Sequence, residues 1–267
     1  MADPGLEADG LTLGYAGEAV VRALSARIAP GRITALIGPN GSGKSTLLHG
    51  LSRLIRPMGG AVLLDGATLQ DQPSRAVARR LAVMPQRPEA PEGLTVRELV
   101  AQGRYPHRGP LGAWTAADGA ALERAMAAAR VTAFADRTLD TLSGGQRQRV
   151  WIALALAQDT AYLLLDEPTT FLDMAHQIEV METLVEANRS RGTTIVAALH
   201  DLNQAARYAH DLIAMAGGAV VAHGPAPHLV TAELIARVFG VEARVTLDPM
   251  LGVPVCVPLG LARPPAR

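Results

Sequence analysis

The sequence has one cysteine, Cys256, in 267 residues. A single thiol excludes an internal disulfide, and zinc sites usually draw several Cys or His ligands at close spacing. Cys256 is therefore expected to be a small, buried, apolar side chain. Cysteine poverty also fits a reducing compartment. Neither sign of charge is in excess: 25 Lys plus Arg balance 25 Asp plus Glu. That balance disfavours a dedicated DNA- or RNA-binding surface. No run reads as membrane-spanning, which takes about 20 mostly apolar residues. The longest uncharged stretch, Leu212 to Ala232, is interrupted by three glycines, two prolines and two histidines. The start, Met1-Ala2-Asp3-Pro4-Gly5-Leu6-Glu7, lacks the basic residues and apolar run of a secretion signal. Any service to a membrane is expected to be that of a peripheral subunit.

What is present is an apolar fraction of 49%, enough for a sizeable core. The length suits one domain with an appended lobe, or two small domains. Short strands are expected within 11–36, at 61–66 before the turn Asp65-Gly66, and at Leu81 to Met84. The runs Tyr162 to Leu165 and Thr194 to Leu199 are nearly all apolar, as parallel strands covered on both faces would be. Between them Ile178, Met181, Leu184 and Val185 recur at helical spacing, with Gly192 as the stop. Strand, helix and strand in that order imply an α/β fold.

Helices are expected at Ser45 to Leu54, at Ser74 to Arg80, behind the capping box Thr95-Val96-Arg97-Glu98, and at Ala116 to Arg130. Residues 87–142 read as a mostly helical insertion containing a loop, Gly103 to Gly112, rich in Gly, Pro and Arg, with Arg104 to Arg108 expected to be exposed. Beyond Gly217-Gly218 the pattern gives a hairpin, a helix capped by Thr231 and ended by Gly240, strands to Pro258, and a loose tail from Arg263 to Arg267. There are no internal repeats.

The chemistry starts at Gly38-Pro39-Asn40-Gly41-Ser42-Gly43-Lys44-Ser45. The apolar strand Ile33 to Ile37 precedes it and a helix follows, the context that the phosphate-binding pattern G-x-x-x-x-G-K-[ST] requires. Backbone N–H groups of such a loop point inward, and the helix offers its positive end. Gly38, Gly41 and Gly43 let the backbone turn tightly. Lys44 is expected to reach the β- and γ-phosphates, Ser45 to ligate Mg²⁺, and Thr46 to lie near the α-phosphate. Asp166 ends the apolar run Leu163-Leu164-Leu165 and is expected to hold the magnesium shell. Glu167 follows at once, as a carboxylate able to orient or deprotonate the attacking water.

A second element, Leu142-Ser143-Gly144-Gly145-Gln146, opens a helix whose Val150, Ala153, Leu154 and Ala157 make an apolar stripe. Ser143 at the cap followed by two glycines leaves an anion site with no anion of its own. Two such ends in one chain suggest that two chains sandwich the nucleotide. Leu142 to Gln146, shortly before Leu163-Leu164-Leu165-Asp166-Glu167-Pro168-Thr169, resembles the ATP-binding cassette family, and nearly the whole chain follows its order of motifs.

That resemblance implies an α/β P-loop ATPase with a mostly parallel sheet, bound to ATP and Mg²⁺. It implies one domain over 1–267: a nucleotide-binding core (1–86 and 149–222) that includes an N-terminal antiparallel β subdomain, a helical subdomain with Leu142 to Gln146 (87–148), and a small C-terminal extension (223–267). Tyr15 matches the aromatic that stacks on adenine. Gln86 matches the glutamine that senses the γ-phosphate and Mg²⁺. Asp173 matches the loop crossing the dimer interface, and His200 the histidine on the γ-phosphate. The catalytic set is then Glu167, His200 and Gln86, and the metal set Ser45, Gln86 and Asp166.

Three stretches narrow the branch: Gln102 to Arg108, Gln146 to Ala153 and Thr169 to Gln177, with the ending Val238 to Ala243 in agreement. They resemble ATPase subunits of ferric-siderophore importers, with heme and cobalamin importers as near relatives. The implied partners are a second copy of the chain, integral-membrane permease subunits and, indirectly, a periplasmic or lipid-anchored substrate-binding protein. Nucleic acid is not among them. The implied place is the cytoplasmic face of the cell membrane. Non-transport relatives that act on DNA or ribosomes usually carry long coiled coils, zinc-binding cysteines or two cassettes, and this sequence has none of these.

Overall fold

Leu6, Ala8, Leu11 and Leu13 are the buried face of β1 (Leu6–Tyr15) in the computed structural model, which describes residues 5–109 and 112–262. The strand starts before residue 11 because its alternation of buried and exposed side chains already begins at Leu6. A register shift between Ala8 and Leu11 interrupts the period and hides the strand's first half from pattern reading. β2 (Glu18–Ile28) pairs antiparallel with β1. The fully buried β3 (Ile33–Ile37) leads into α1 (Lys44–Leu51). β4 (Gly59–Leu64) pairs antiparallel with the other side of β1, and Asp65-Gly66, both at positive φ, turns the chain into the short β5 (Ala67–Thr68). The resulting antiparallel sheet runs β2-β1-β4-β5.

The chain forms two compact units, Met1–Gln70 with Val196–Arg267, and Asp71–Ile195. The second unit opens with α2 (Ser74–Ala78) and β6 (Leu81–Met84). Three helices follow: α3 (Val96–Gln102), α4 (Ala116–Ala128) and α5 (Gly144–Ala157). Thr95 caps α3 with the expected reciprocal box, its hydroxyl accepting from the Glu98 N–H while Glu98 accepts from the Thr95 N–H. α5 is buried more broadly than one stripe: Trp151, Ile152, Ala155 and Leu156 are buried along with Val150, Ala153 and Ala157, while Leu154 is only half-buried. α3 and α4 both pack on α5, which explains the wider face. β7 (Tyr162–Asp166) runs parallel to β6, and α6 (Met174–Arg191) ends at Gly192 in the left-handed conformation, the expected stop.

β8 (Thr194–Ala198) carries the chain back to the first unit. There α7 (Leu202–Tyr208), β9 (Asp211–Ala216) and β10 (Ala219–Pro225) follow, with Gly217-Gly218 as the turn between the last two. β9 runs parallel to β3, and β10 antiparallel to β9. α8 (Ala226–Leu229) and α9 (Ala232–Phe239) precede a closing hairpin, β11 (Val241–Leu247) with β12 (Pro254–Leu261). Thr231 caps α9 and Gly240 ends it, as expected. Cys256 lies on β12 and is half-buried rather than buried, because a two-stranded ribbon covers one face only. The architecture is α/β, with an antiparallel N-terminal sheet and parallel strands beneath the loops that matter. The expected tail at Arg263 to Arg267, residues Met1 to Pro4, and Pro110-Leu111 of the expected loop lie outside the described residues. Among the described residues no helix is long and apolar enough to cross a membrane.

The loop after α3 is less exposed than expected: Gly103 is buried and Pro106, His107 and Arg108 are half-buried. Arg104 is buried: its Nε donates to Asp118 Oδ1 at 2.9 Å and its Nη1 to the Ala157 carbonyl at 2.8 Å. Asp118 also sits in the α4 capping box, accepting from the Thr115 hydroxyl at 2.7 Å and the Thr115 N–H at 3.0 Å. The Thr115 hydroxyl and then the Arg104 guanidinium hold the Asp118 carboxyl down at about 2, against the opposing effect of burial. A depressed acid stabilises the fold above its unfolded value of 3.8, and that contribution is lost as pH falls toward 2. Asp118→Asn is expected to cost about 3 kcal/mol at pH 7, since it leaves Arg104 buried beside a neutral group. The cost should shrink by pH 2, where the wild-type carboxyl is itself becoming neutral. Urea melts of both proteins at the two pH values measure this, and an equal cost at both would show that the charge is not what matters.

Candidate nucleotide site

In the first unit, β3 delivers the chain into the loop Gly38 to Gly43 and then α1. Gly38 has φ 149°, and a Cβ there would lie 2.2 Å from the Met215 carbonyl oxygen. Only glycine lets the loop leave the strand so close to β9. The tip, Asn40 and Gly41, is exposed, whereas Ser42, Gly43, Lys44 and Thr46 are buried and Pro39 and Ser45 half-buried. Lys44 Nζ donates to the Gly38 and Pro39 carbonyls at 2.8 and 3.0 Å, so its ammonium is held against the loop.

Two features suit the loop to holding an anion. α1 starts at Gly43, in the left-handed conformation and without a side-chain cap. The other described helices of eight residues or more, α4, α5, α6 and α9, are capped by Thr115, Ser143, Asp173 and Thr231. A helix has no internal acceptors for its first-turn N–H groups, and an anion is the natural substitute for a cap. The Ser42 hydroxyl is also buried with no hydrogen-bond partner among the described residues, which fits a group that waits for an external oxygen.

The same unit holds Tyr15 and His200. Tyr15 ends β1 with 48% of its surface exposed, and its hydroxyl lies 3.2 Å from His49 Nδ1 on α1. That leaves an open aromatic face beside the helix that starts at the loop. His200 is exposed and follows β8, whose end is fixed by the Leu199 N–H donating to the Leu36 carbonyl at 3.0 Å.

The second unit holds the acidic pair. Asp166 is 1% exposed at the end of β7. Glu167 follows at φ 53°, in a region that a residue with a Cβ occupies at some cost, which functional sites often retain. Its Oε2 accepts from Gln86 Nε2 at 2.5 Å and from the Thr170 hydroxyl at 3.1 Å. The structure thus brings Gln86 and Glu167 together from 81 residues apart.

Ser143 and Gln146 form a capping box on α5: Ser143 Oγ accepts from the Gln146 N–H at 3.3 Å and Gln146 Oε1 from the Ser143 N–H at 3.1 Å. Ser143 and Gly144 are exposed over a buried Leu142, so this end faces solvent. A Cβ on Gly145 would meet the His176 ring at 2.7 Å. His176 in turn contacts Asp173 Oδ1 at 2.8 Å through Nδ1, and Asp173 caps α6. The His176 N–H, and next its ring, hold the Asp173 carboxyl below its usual range. Gln148 Nε2 donates to the Pro168 carbonyl at 2.8 Å, tying α5 to the loop that carries Glu167.

Thr170, Gln148 and His176 are the residues for which sequence reading gave no role. All three lie inside stretches that carried the resemblance, but nothing in their local pattern shows what they touch.

The family model for ABC transporters matches residues 21–170. The ferric enterobactin transport ATP-binding protein FepC of Escherichia coli (strain K12) is 51% identical over 259 residues, covering 97% of this chain and 96% of its own. The achromobactin transport ATP-binding protein CbrD of Dickeya dadantii (strain 3937) is 47% identical over 257 residues, covering 96% of both chains. Among solved structures, the ATP-binding cassette MJ0796 in a dimeric post-hydrolysis state with ADP and Pi superposes with a TM-score of 0.73 at 26% identity, covering 83% of this chain and 98% of that one. The chain belongs to the ABC transporter family and is one of its ATPases.

Proposed function

We propose that this chain powers import of an iron chelate, a ferric siderophore, through a membrane permease to which it binds from the cytoplasmic side. The observation that carries the cargo is the near full-length likeness to ATP-binding proteins of ferric enterobactin and achromobactin transport. In this reading Lys44 binds the β- and γ-phosphates, Thr46 lies near the α-phosphate and Tyr15 stacks on adenine. Glu167 orients and deprotonates the attacking water, and His200 contacts the γ-phosphate. Leu142 to Gln146 and Asp173 act across a pair of chains.

Ser45, Asp166 and Gln86 offer a hydroxyl, a carboxylate and an amide oxygen, the hard donors that suit Mg²⁺. The uncapped α1 and the orphaned Ser42 hydroxyl fit the phosphates that accompany it. When bound, Mg²⁺ neutralises charge on the β- and γ-phosphates. Glu167 needs no metal for its own placement, since Gln86 and Thr170 already hold its carboxylate.

The segment 86–112 serves in this reading as the seat for the permease. A groove of about 530 Å³ opens there between Ser74, Arg75, Ala78, Tyr105 and Arg108. Tyr105 is 78% exposed, and Arg108 lies over the Trp114 ring at 4.8 Å. Residues 87–148, with 1–86 and 149–222 as core and 223–267 as extension, are the division that such coupling uses.

One uptake experiment tests both parts. Cells lacking the chain are expected to lose uptake of radioiron-loaded siderophore, and to regain it with the wild-type gene but not with Tyr105→Ala/Arg108→Ala. The purified double variant should keep basal ATP hydrolysis. Undiminished iron uptake in the deletion strain would overturn the cargo, and full rescue by the double variant would overturn the seat.

A further inference from the structure

The segment that carries His200 is fastened to the C-terminal hairpin by the Asn203 side chain. Asp201 caps α7, its Oδ1 accepting from the Asn203 N–H at 2.7 Å and the Gln204 N–H at 3.0 Å. Asn203, in the first turn of α7, reaches out to β12. Its Oδ1 accepts from the Cys256 N–H at 2.7 Å and its Nδ2 donates to the Cys256 carbonyl at 3.2 Å. A donor and an acceptor offered together to one residue are what a neighbouring strand supplies, so the Asn203 amide closes the edge of β12 as a strand would. The same stretch of β12 feels Asp201: burial, and then the charge of that carboxylate, push the Cys256 thiol up. α7 packs along β12, and α9 packs on β11.

We propose that Asn203 is a positioning residue for hydrolysis: by clamping β12 to the first turn of α7, it fixes the loop three residues upstream in which His200 stands. The inference rests on the reading of His200 as the γ-phosphate contact. Hydrolysis is sensitive to placement, because catalytic groups must hold their geometry to a fraction of an ångström. Asp201 ties the backbone of α7's first turn together, and Asn203 ties that turn to the hairpin through a pair of hydrogen bonds. The C-terminal ribbon is then a brace for the site as well as an appendage.

The test compares Asn203→Ala, His200→Ala and the double variant in the purified full-length chain. Because Asn203 is exposed, its loss leaves the core intact. Asn203→Ala is expected to lower kcat about 5-fold to 10-fold while KM for ATP stays within about 2-fold, the split expected for lost placement rather than lost binding. Modification of Cys256 by a disulfide thiol reagent should become faster, showing that the clamp is released. Asn203→Asp, which keeps the acceptor for the Cys256 N–H and loses the donor, should fall between.

In the His200→Ala background, Asn203→Ala should have no further effect on kcat. Normal kcat in Asn203→Ala, whatever the thiol rate, overturns the inference. An equal further loss in the His200→Ala background overturns it too, since the amide would then act by another route. Unchanged turnover in His200→Ala alone overturns the assignment of His200 itself, a failure visible without touching Asn203.

Discussion

Glu167→Gln is expected to lower ATP turnover by about 100-fold or more, the range that a positioned general base contributes, while ATP affinity changes by less than about 2-fold. The structure explains why this substitution is clean. Glu167 Oε2 accepts from Gln86 and from Thr170, and a glutamine oxygen can accept both bonds in the same place. What the amide cannot do is take a proton from water. The backbone at φ 53° is strained equally for either side chain, so the exchange should leave the local fold unchanged. Nucleotide would then bind and persist, and pairs of chains should accumulate with Mg-ATP, because hydrolysis is what opens them in the proposed cycle. Phosphate release and sedimentation velocity measure the two effects. Turnover close to wild type would remove Glu167 from the base role and leave Gln86 and Thr170 as the holders of a merely structural carboxylate.

The elements read from sequence are those whose physics is local. The loop Gly38 to Ser45 was legible because glycine at close approaches, a lysine and a following helix all fall within a few residues. The strands at Leu81, Tyr162 and Thr194 were legible because buried parallel strands are nearly all apolar. Asp166 and Glu167 followed from their place at the end of one of them. What escaped depends on partners far along the chain. Arg104 stands in a stretch that reads as solvated, and its burial requires Asp118 on α4 and the Ala157 carbonyl at the end of α5. The resemblance assigned Gln86 a role, yet the bond that holds it to Glu167 spans 81 residues. His176 looked like one histidine among seven until its ring was found against Gly145. The early start of β1 was lost to a register shift, which breaks the two-residue period on which strand reading relies.

Lys44→Ala is expected to weaken ATP binding by about 100-fold, since a charge-assisted contact to phosphate is worth up to about 3 kcal/mol. Alanine alone would leave the cause in doubt. Lys44 is only 5% exposed, and its ammonium bonds to the Gly38 and Pro39 carbonyls, so removing the side chain also loosens the loop. Lys44→Met separates the two effects. It keeps most of the buried stem, with a stability change expected within about 1.5 kcal/mol for a swap of similar volume, and it removes the charge and all donors. If the ammonium is what grips the phosphates, Met and Ala should lose affinity to the same extent in a direct titration with a fluorescent ATP analogue. Arginine should restore little, because its planar guanidinium is bulkier than the compact ammonium held here against two carbonyls. If Met instead binds nearly as well as wild type while Ala does not, packing of the loop carries the affinity. The phosphates would then be held by the amides of the uncapped α1 and by the Ser42 hydroxyl, without help from the lysine charge.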